Sequence, residues 1–193
     1  MFNHRSPIAL AGVLFGVFLA QNVSADIWDD AEKQILRLDP SVFRELPKGA
    51  LEELKSRGCK IPQSFGLNTP HNVIHGSFAN NAQNDWAVLC SKDGSSSILV
   101  FWGGPVRCSS DIQLGKGKDR EWLQGRGGEK IGYSRDIHAI EGKRIGEDHK
   151  KYGLGKLPPI DHDGIVDEFL EKYDVVYYCY KDNWVQLEFE AGH

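Results

Sequence analysis

The chain has 193 residues, with 23 Lys or Arg against 27 Asp or Glu, a formal net charge of −4 and 40% hydrophobic residues. This mildly acidic balance argues against nucleic acid or an anionic membrane surface as the partner. The length suits one compact domain with a real core, and no self-similar period of about 20–50 residues points to a solenoid or a propeller.

The first 25 residues read as an export signal. Arg5 supplies the positive start, Ile8 to Ala20 is an uninterrupted apolar stretch, and Val23-Ser24-Ala25 is the small-residue pattern that signal peptidase accepts. An apolar run of roughly 7–15 residues is short for a bilayer span, and no later run approaches the ~18 residues one needs. The expected mature protein is a single domain over 26–193, periplasmic or secreted, with no membrane span. Loss of Arg5 alone among the charged groups leaves it at −5.

Export gives the cysteines a meaning. Cys59, Cys90, Cys108 and Cys179 form an even set without a CxxC pair, which predicts two disulfides rather than a zinc site. Three connectivities are open. Cys59–Cys90 with Cys108–Cys179 is favoured because it gives Cys59 its nearest partner in sequence.

In 26–39, Trp28, Ala31, Ile35 and Leu38 recur at helical spacing, with Asp29 and Asp30 early and Lys33 and Arg37 late, as the helix dipole favours. Asp39 then caps a second segment opening with Pro40, Pro47 restarts the helix, and Gly58 is placed to end it in a left-handed turn. Beyond Cys59 the period changes. Residues 72–78, 85–91 and 95–103 predict consecutive antiparallel strands, the last two joined through Lys92-Asp93-Gly94. In the middle one Trp86, Val88 and Cys90 share a face and Ala87 and Leu89 the other, so it should be central and covered on both sides. The glycine-rich, charged stretch 113–132 reads as a mobile solvated connection rather than an anion-binding or substrate loop, since Gly115 and Gly117 do not continue into GxGxxG. Residues 133–141 predict a strand, 163–173 a helix, and 174–189 a hairpin turning at Lys181-Asp182-Asn183. Helices followed by a mainly antiparallel sheet give the expected fold class, α+β, with short N-terminal helices packed on the sheet.

The segment "NVIHGSFANNAQNDWAVL" (72–89) resembles a degenerate single copy of the integrin-type FG-GAP repeat, a strand running into a calcium-binding turn and out into a second strand. The resemblance implies ligand positions at Ser77, Ala79, Asn81 and Asp85. Gly76, Phe78, Asp85 and the following strand match that pattern, whereas Ala79 has no side-chain oxygen and Ala82 stands where glycine is usual. Calcium takes about six to eight oxygens, more than Ser77, Asn81 and Asp85 supply as the remaining metal candidates. The expectation is therefore a turn without metal or cofactor. Asn80, Asn81 and Asn84 would bond their own backbone, and Asp85 would accept turn N–H groups. More broadly, "RGCKIPQ", the 72–94 hairpin and "ILVFW" look similar to a group of uncharacterised bacterial secreted proteins. That resemblance covers about a third of the chain and implies export but no activity.

Catalytic patterns are sparse. His71 and His75 are four apart, which on a strand places them ~13 Å from each other at roughly 3.3 Å per residue. HExxH and GxSxG are absent, Asp136 standing where the latter would need its second glycine. Asp161, His162 and Asp163 in "DHDG" offer an acid–base or metal cluster if His138 or His149 joins them. A turn in which Asp163 caps the following segment accounts for the same residues. The leading expectation is an exported binding module recognising a protein or envelope component, of inhibitor or immunity type, with no assigned catalytic residue. The competing expectation is a secreted hydrolase using His138, Asp161 and His162. Intact-mass analysis of the exported protein should show a chain beginning at Asp26, and retention of Met1 would overturn the export reading.

Overall fold

The computed structural model describes residues 23–109 and 113–189, and the expected leader through Asn22 lies outside them. Three α-helices are present among the described residues, α1 (Val23–Lys33), α2 (Lys48–Arg57) and α3 (Gly142–Tyr152). Two antiparallel sheets carry most of the strands. The first has four strands in the order β3 (Val73–Gly76), β4 (Asp85–Lys92), β5 (Ser95–Phe101) and β6 (Leu114–Lys118). The second has five: β10 (Gly153–Leu154), β13 (Asn183–Phe189), β12 (Tyr173–Tyr180), β11 (Gly164–Phe169) and β9 (Arg135–Ile140). Two short ribbons pair β1 (Arg37–Leu38) with β2 (Ile61–Pro62), and β7 (Leu123–Gly125) with β8 (Ile131–Tyr133). The class is thus α+β. No helix among the described residues is long and apolar enough to cross a membrane.

Strand periodicity sorts the side chains into three clusters. From β4, Ala87 and Leu89 join Ile98, Leu114, Ile137, Ile165 and Tyr177, so the inner faces of both sheets share one core. Its alternate residues Val88 and Cys90 point the other way, onto Ala50 and Leu54 of α2 and onto Phe43, Leu46 and Ile61. On the far side of the five-stranded sheet, Val166, Val176, Tyr178 and Leu187 meet Ile145 of α3. The apolar character of both β4 faces follows from this double coverage. Gly58 ends α2 at φ 73°, its N–H bonded to Leu54 and Lys55 carbonyls.

Both disulfides form, in the favoured pairing. Cys59–Cys90 ties the end of α2 to β4, and Cys108–Cys179 ties the segment after β5 to β12 of the other sheet. Each closes a long loop, worth typically about 2–4 kcal/mol.

The other link between the sheets is ionic. Arg135 and Asp167 are 0% and 2% exposed. Arg135 Nε and Nη2 donate to the two Asp167 carboxylate oxygens at 2.7 Å each, Nη1 donates to Ser96 Oγ at 2.8 Å, and Nη2 also donates to the Gly115 carbonyl at 2.5 Å. The guanidinium lies over the Trp122 ring, 4.3 Å from its centroid. Burial pushes the Asp167 carboxyl up, with the guanidinium pulling the other way. Gly115 has φ +58°, and a Cβ there would collide with Arg135 Nη2 and Asp167 Oδ2.

Several sequence expectations are corrected. The stretch 163–173, expected as a helix, is the strand β11 and the start of β12. Ile165 and Val166 are buried on opposite faces of a central strand, and a short run apolar on both sides does not distinguish strand from helix. The expected solvated connection 113–132 holds β6, a 3-10 turn over Asp119–Trp122 and the β7–β8 ribbon. Its charge is partly internal, because Asp119 is fully buried and accepts from Arg37 Nη2 at 2.7 Å and Ser91 Oγ at 2.5 Å. α1 stops at Lys33, and Arg37 and Leu38 belong to β1. His71 precedes β3, so it does not share a strand with His75. α3 has one buried apolar residue, Ile145, and is supported by exposed pairs such as Arg144–Asp148, so no apolar stripe announces it.

Removing one member of a buried pair leaves an uncompensated charge at a cost of about 3–5 kcal/mol. Arg135→Ala should lose that much stability in urea unfolding, and Arg135→Met with Asp167→Leu should lose less. A double variant as unstable as the single one would contradict this.

Candidate functional site

The Ser77–Asp85 turn is closed by side chains. Asp85 is fully buried; its Oδ2 accepts the Phe78 and Ala79 N–H groups at 3.0 and 3.1 Å, and its Oδ1 accepts Gln83 Nε2 at 2.7 Å and the Gly103 N–H at 2.9 Å. Four donors thus occupy the carboxylate. Asn80 Oδ1 accepts the Ala82 N–H at 2.7 Å, an Asx turn. Asn81 is exposed, and Ser77 is held by its backbone, its N–H donating to Asp163 Oδ2 at 2.9 Å and its carbonyl accepting the Asp163 N–H at 3.0 Å.

That contact brings two sets of sequence candidates together. Ser77 and Asn81 share a polar cleft of about 590 Å³ with Asp161, His162, Glu141 and Lys143. His162 is buried and stacks on Tyr178, the centroids 4.2 Å apart. Its Nδ1 faces the Asp163 carbonyl at 2.9 Å and its Nε2 the Cys179 carbonyl at 2.8 Å, so neither ring nitrogen points a lone pair into the cleft. A general base needs such a lone pair within reach of substrate. Asp161 Oδ1 lies 3.9 Å from His162 Nε2 and accepts the Tyr178 hydroxyl at 3.1 Å. Burial raises the Tyr178 pKa. His138 is elsewhere, on β9, with Nδ1 3.9 Å from Asp136 and 3.8 Å from Glu168. His149 packs edge-on against Phe189. The three residues of the hydrolase reading are therefore divided between two places.

A second cleft, of about 540 Å³, opens where the outer face of β4 and β5 runs past α2. Trp86 and Phe101 are register partners on that face and neither is fully buried. Trp102 follows Phe101, stacked on Trp184 at 6.0 Å between centroids. Arg57 and Glu53 of α2 form the opposite wall, paired at 2.6 Å, and Asn84 and Arg107 complete the rim. Sequence reading missed this cleft as a site. Its aromatic residues were legible as strand residues, but Arg57 and Arg107 reach it from distant segments.

The first turn shapes one wall of this cleft. Asp85 holds the Gly103 N–H, and Gln83 donates its Nε2 to the Val106 carbonyl at 2.9 Å while its Oε1 accepts the Val106 N–H at 3.3 Å. A Cβ on Gly103 would collide with the Asn84 carbonyl, so glycine lets the two segments close up. No family model, no curated protein and no solved structure matches the chain.

Asp85→Ala leaves three backbone donors without an acceptor. At about 1–3 kcal/mol for each buried unsatisfied group, partly relieved by water, the expected loss is roughly 2–4 kcal/mol. Thermal melts in chelator and in millimolar calcium should show the same loss. A calcium-dependent rise in the wild type that vanishes in the variant would establish a calcium loop instead.

Proposed function

We propose that this protein is an exported binding module whose recognition surface is the cleft between α2 and the β4–β5 face, and whose ligand is an anionic saccharide of the cell envelope. Two disulfides, typical of secreted or periplasmic proteins, support the exported setting. The observation that carries the proposal is one cleft combining Trp86, Phe101 and Trp102 with Arg57 and Arg107. Aromatic faces offer large apolar area with little side-chain entropy to lose, which suits flat sugar rings. Guanidinium groups at the rim suit carboxylate or phosphate substituents, and Asn84 and Glu53 suit hydroxyls. Binding sites commonly combine apolar surface with orienting polar groups, as this cleft does. The hydrolase reading lacks such support, because His138 is separated from Asp161 and His162.

Tryptophan fluorescence titration with carboxylate-bearing cell-wall oligosaccharides is the test. Saturable binding should weaken on raising salt. It should fall about 30-fold in Trp86→Ala, the ~2 kcal/mol expected of a central aromatic anchor, and about tenfold in Arg107→Ala. Equal binding of neutral dextran oligomers, or no binding of either class, would overturn the ligand assignment.

A further inference from the structure

On the outward face of the five-stranded sheet, away from the aromatic cleft, two carboxylates stand side by side. Asp136 of β9 and Glu168 of β11 are register partners, and Asp174 of β12 is opposite Glu168 in turn. Like charges directly opposite across strands repel. Among the described residues, no lysine or arginine lies within ion-pair distance of either, and the neighbouring ionisable side chains are histidines. His138 Nδ1 lies 3.9 Å from Asp136 Oδ2 and 3.8 Å from Glu168 Oε2, and His71 Nε2 lies 4.0 Å from Asp136 Oδ1.

His71 offers Asp136 no proton. Its Nε2 accepts the Ser64 N–H at 2.7 Å, and its Nδ1 faces the Thr69 carbonyl at 2.9 Å, so the hydrogen is on Nδ1 and a lone pair on Nε2. Asp136 Oδ1 is accordingly buried without a hydrogen-bond partner. Arg135, next in sequence, faces the other way and is committed to Asp167. Oδ1 is the oxygen on the His71 side, whereas Oδ2 faces His138, and neither Oδ2 nor the Glu168 carboxylate has a lysine or arginine to neutralise it.

We propose that Asp136, His138 and Glu168 hold a divalent transition-metal ion, zinc fitting best. Their donor atoms all lie within 4.8 Å of one another. Zinc bonds to nitrogen and oxygen are about 2.0–2.2 Å, so the side chains need to draw in by a few tenths of an ångström. His138 is 49% and Glu168 32% exposed at the side chain, which leaves them free to do so. One imidazole and two carboxylates suit zinc better than calcium, which needs more oxygens. His138 binds through Nδ1 and keeps its hydrogen on Nε2, toward solvent. Three protein ligands leave a fourth position for water or for a donor from another molecule. This site shares no residue with the proposed saccharide cleft, so either can fail without the other.

The test is calorimetric titration of the chelator-stripped protein with zinc chloride in a non-coordinating buffer. One site with a dissociation constant of about 10 μM or tighter is expected, roughly −7 kcal/mol. His138→Ala and Glu168→Gln should each weaken it at least tenfold, and His149→Gln should leave it unchanged. Both altered side chains are part-exposed, and circular dichroism should confirm native folding. Cobalt(II) should give a visible absorption band that His138→Ala abolishes. No saturable site below about 100 μM zinc, or a site unweakened in both variants, would overturn the assignment.

Discussion

Arg135 is the largest fully buried side chain among the described residues, and its guanidinium joins three strands of two sheets: Asp167 on β11, Ser96 on β5 and the Gly115 carbonyl on β6. An arginine stays protonated, so this charge is carried into the core, and the arrangement around it must answer every donor. Gly115 follows from that demand, because any side chain there would occupy the space of the ion pair. A buried pair of this kind adds little net stability over an apolar substitute. Its physical effect is on register: a one-residue slip of β11 against β9 would turn Asp167 outward and present Glu168 to the core.

The same register fixes what the outer face displays. With Arg135 and Asp167 inward, the period of two sends Asp136, His138 and Glu168 outward, and antiparallel pairing sets the two carboxylates opposite each other. The inter-sheet lock therefore produces the repulsive pair as its geometric complement. α3 and Ile145 cover Val166 and Val176 on that face, whereas the carboxylate end of β11 is only partly covered.

How legible these features were in the sequence depends on how local their causes are. Gly58, the β4 alternation and the carboxylate of Asp85 each act within a few residues, and reading turn and strand chemistry along the chain was enough to place them. β11 defeated the same reading, because Ile165 and Val166 are apolar for two different cores that only tertiary structure separates. The 113–132 stretch read as solvated because its glycines and charges are used internally, Gly115 beneath Arg135 and Asp119 against Arg37. Asp136 and Glu168 are 32 positions apart and Arg57 and Arg107 50 apart, so neither grouping leaves a local signature.

The wall of the aromatic cleft shows how the turn and the sheets act together. Residues 103–108 leave β5 as irregular chain, which on its own would be mobile. Three anchors prevent this: Asp85 holds the Gly103 N–H, the Gln83 amide makes both bonds to Val106, and Cys108 is bonded to Cys179 in the other sheet. Arg107 sits between the second and third anchors, so the backbone that presents its guanidinium to the cleft rim is held in place, as the proposed binding role requires. Ordering a loop upon binding consumes interaction energy, and a wall already held avoids that loss. Asp85 fills its carboxylate with donors from both the turn and Gly103, and through them it anchors one wall of this cleft.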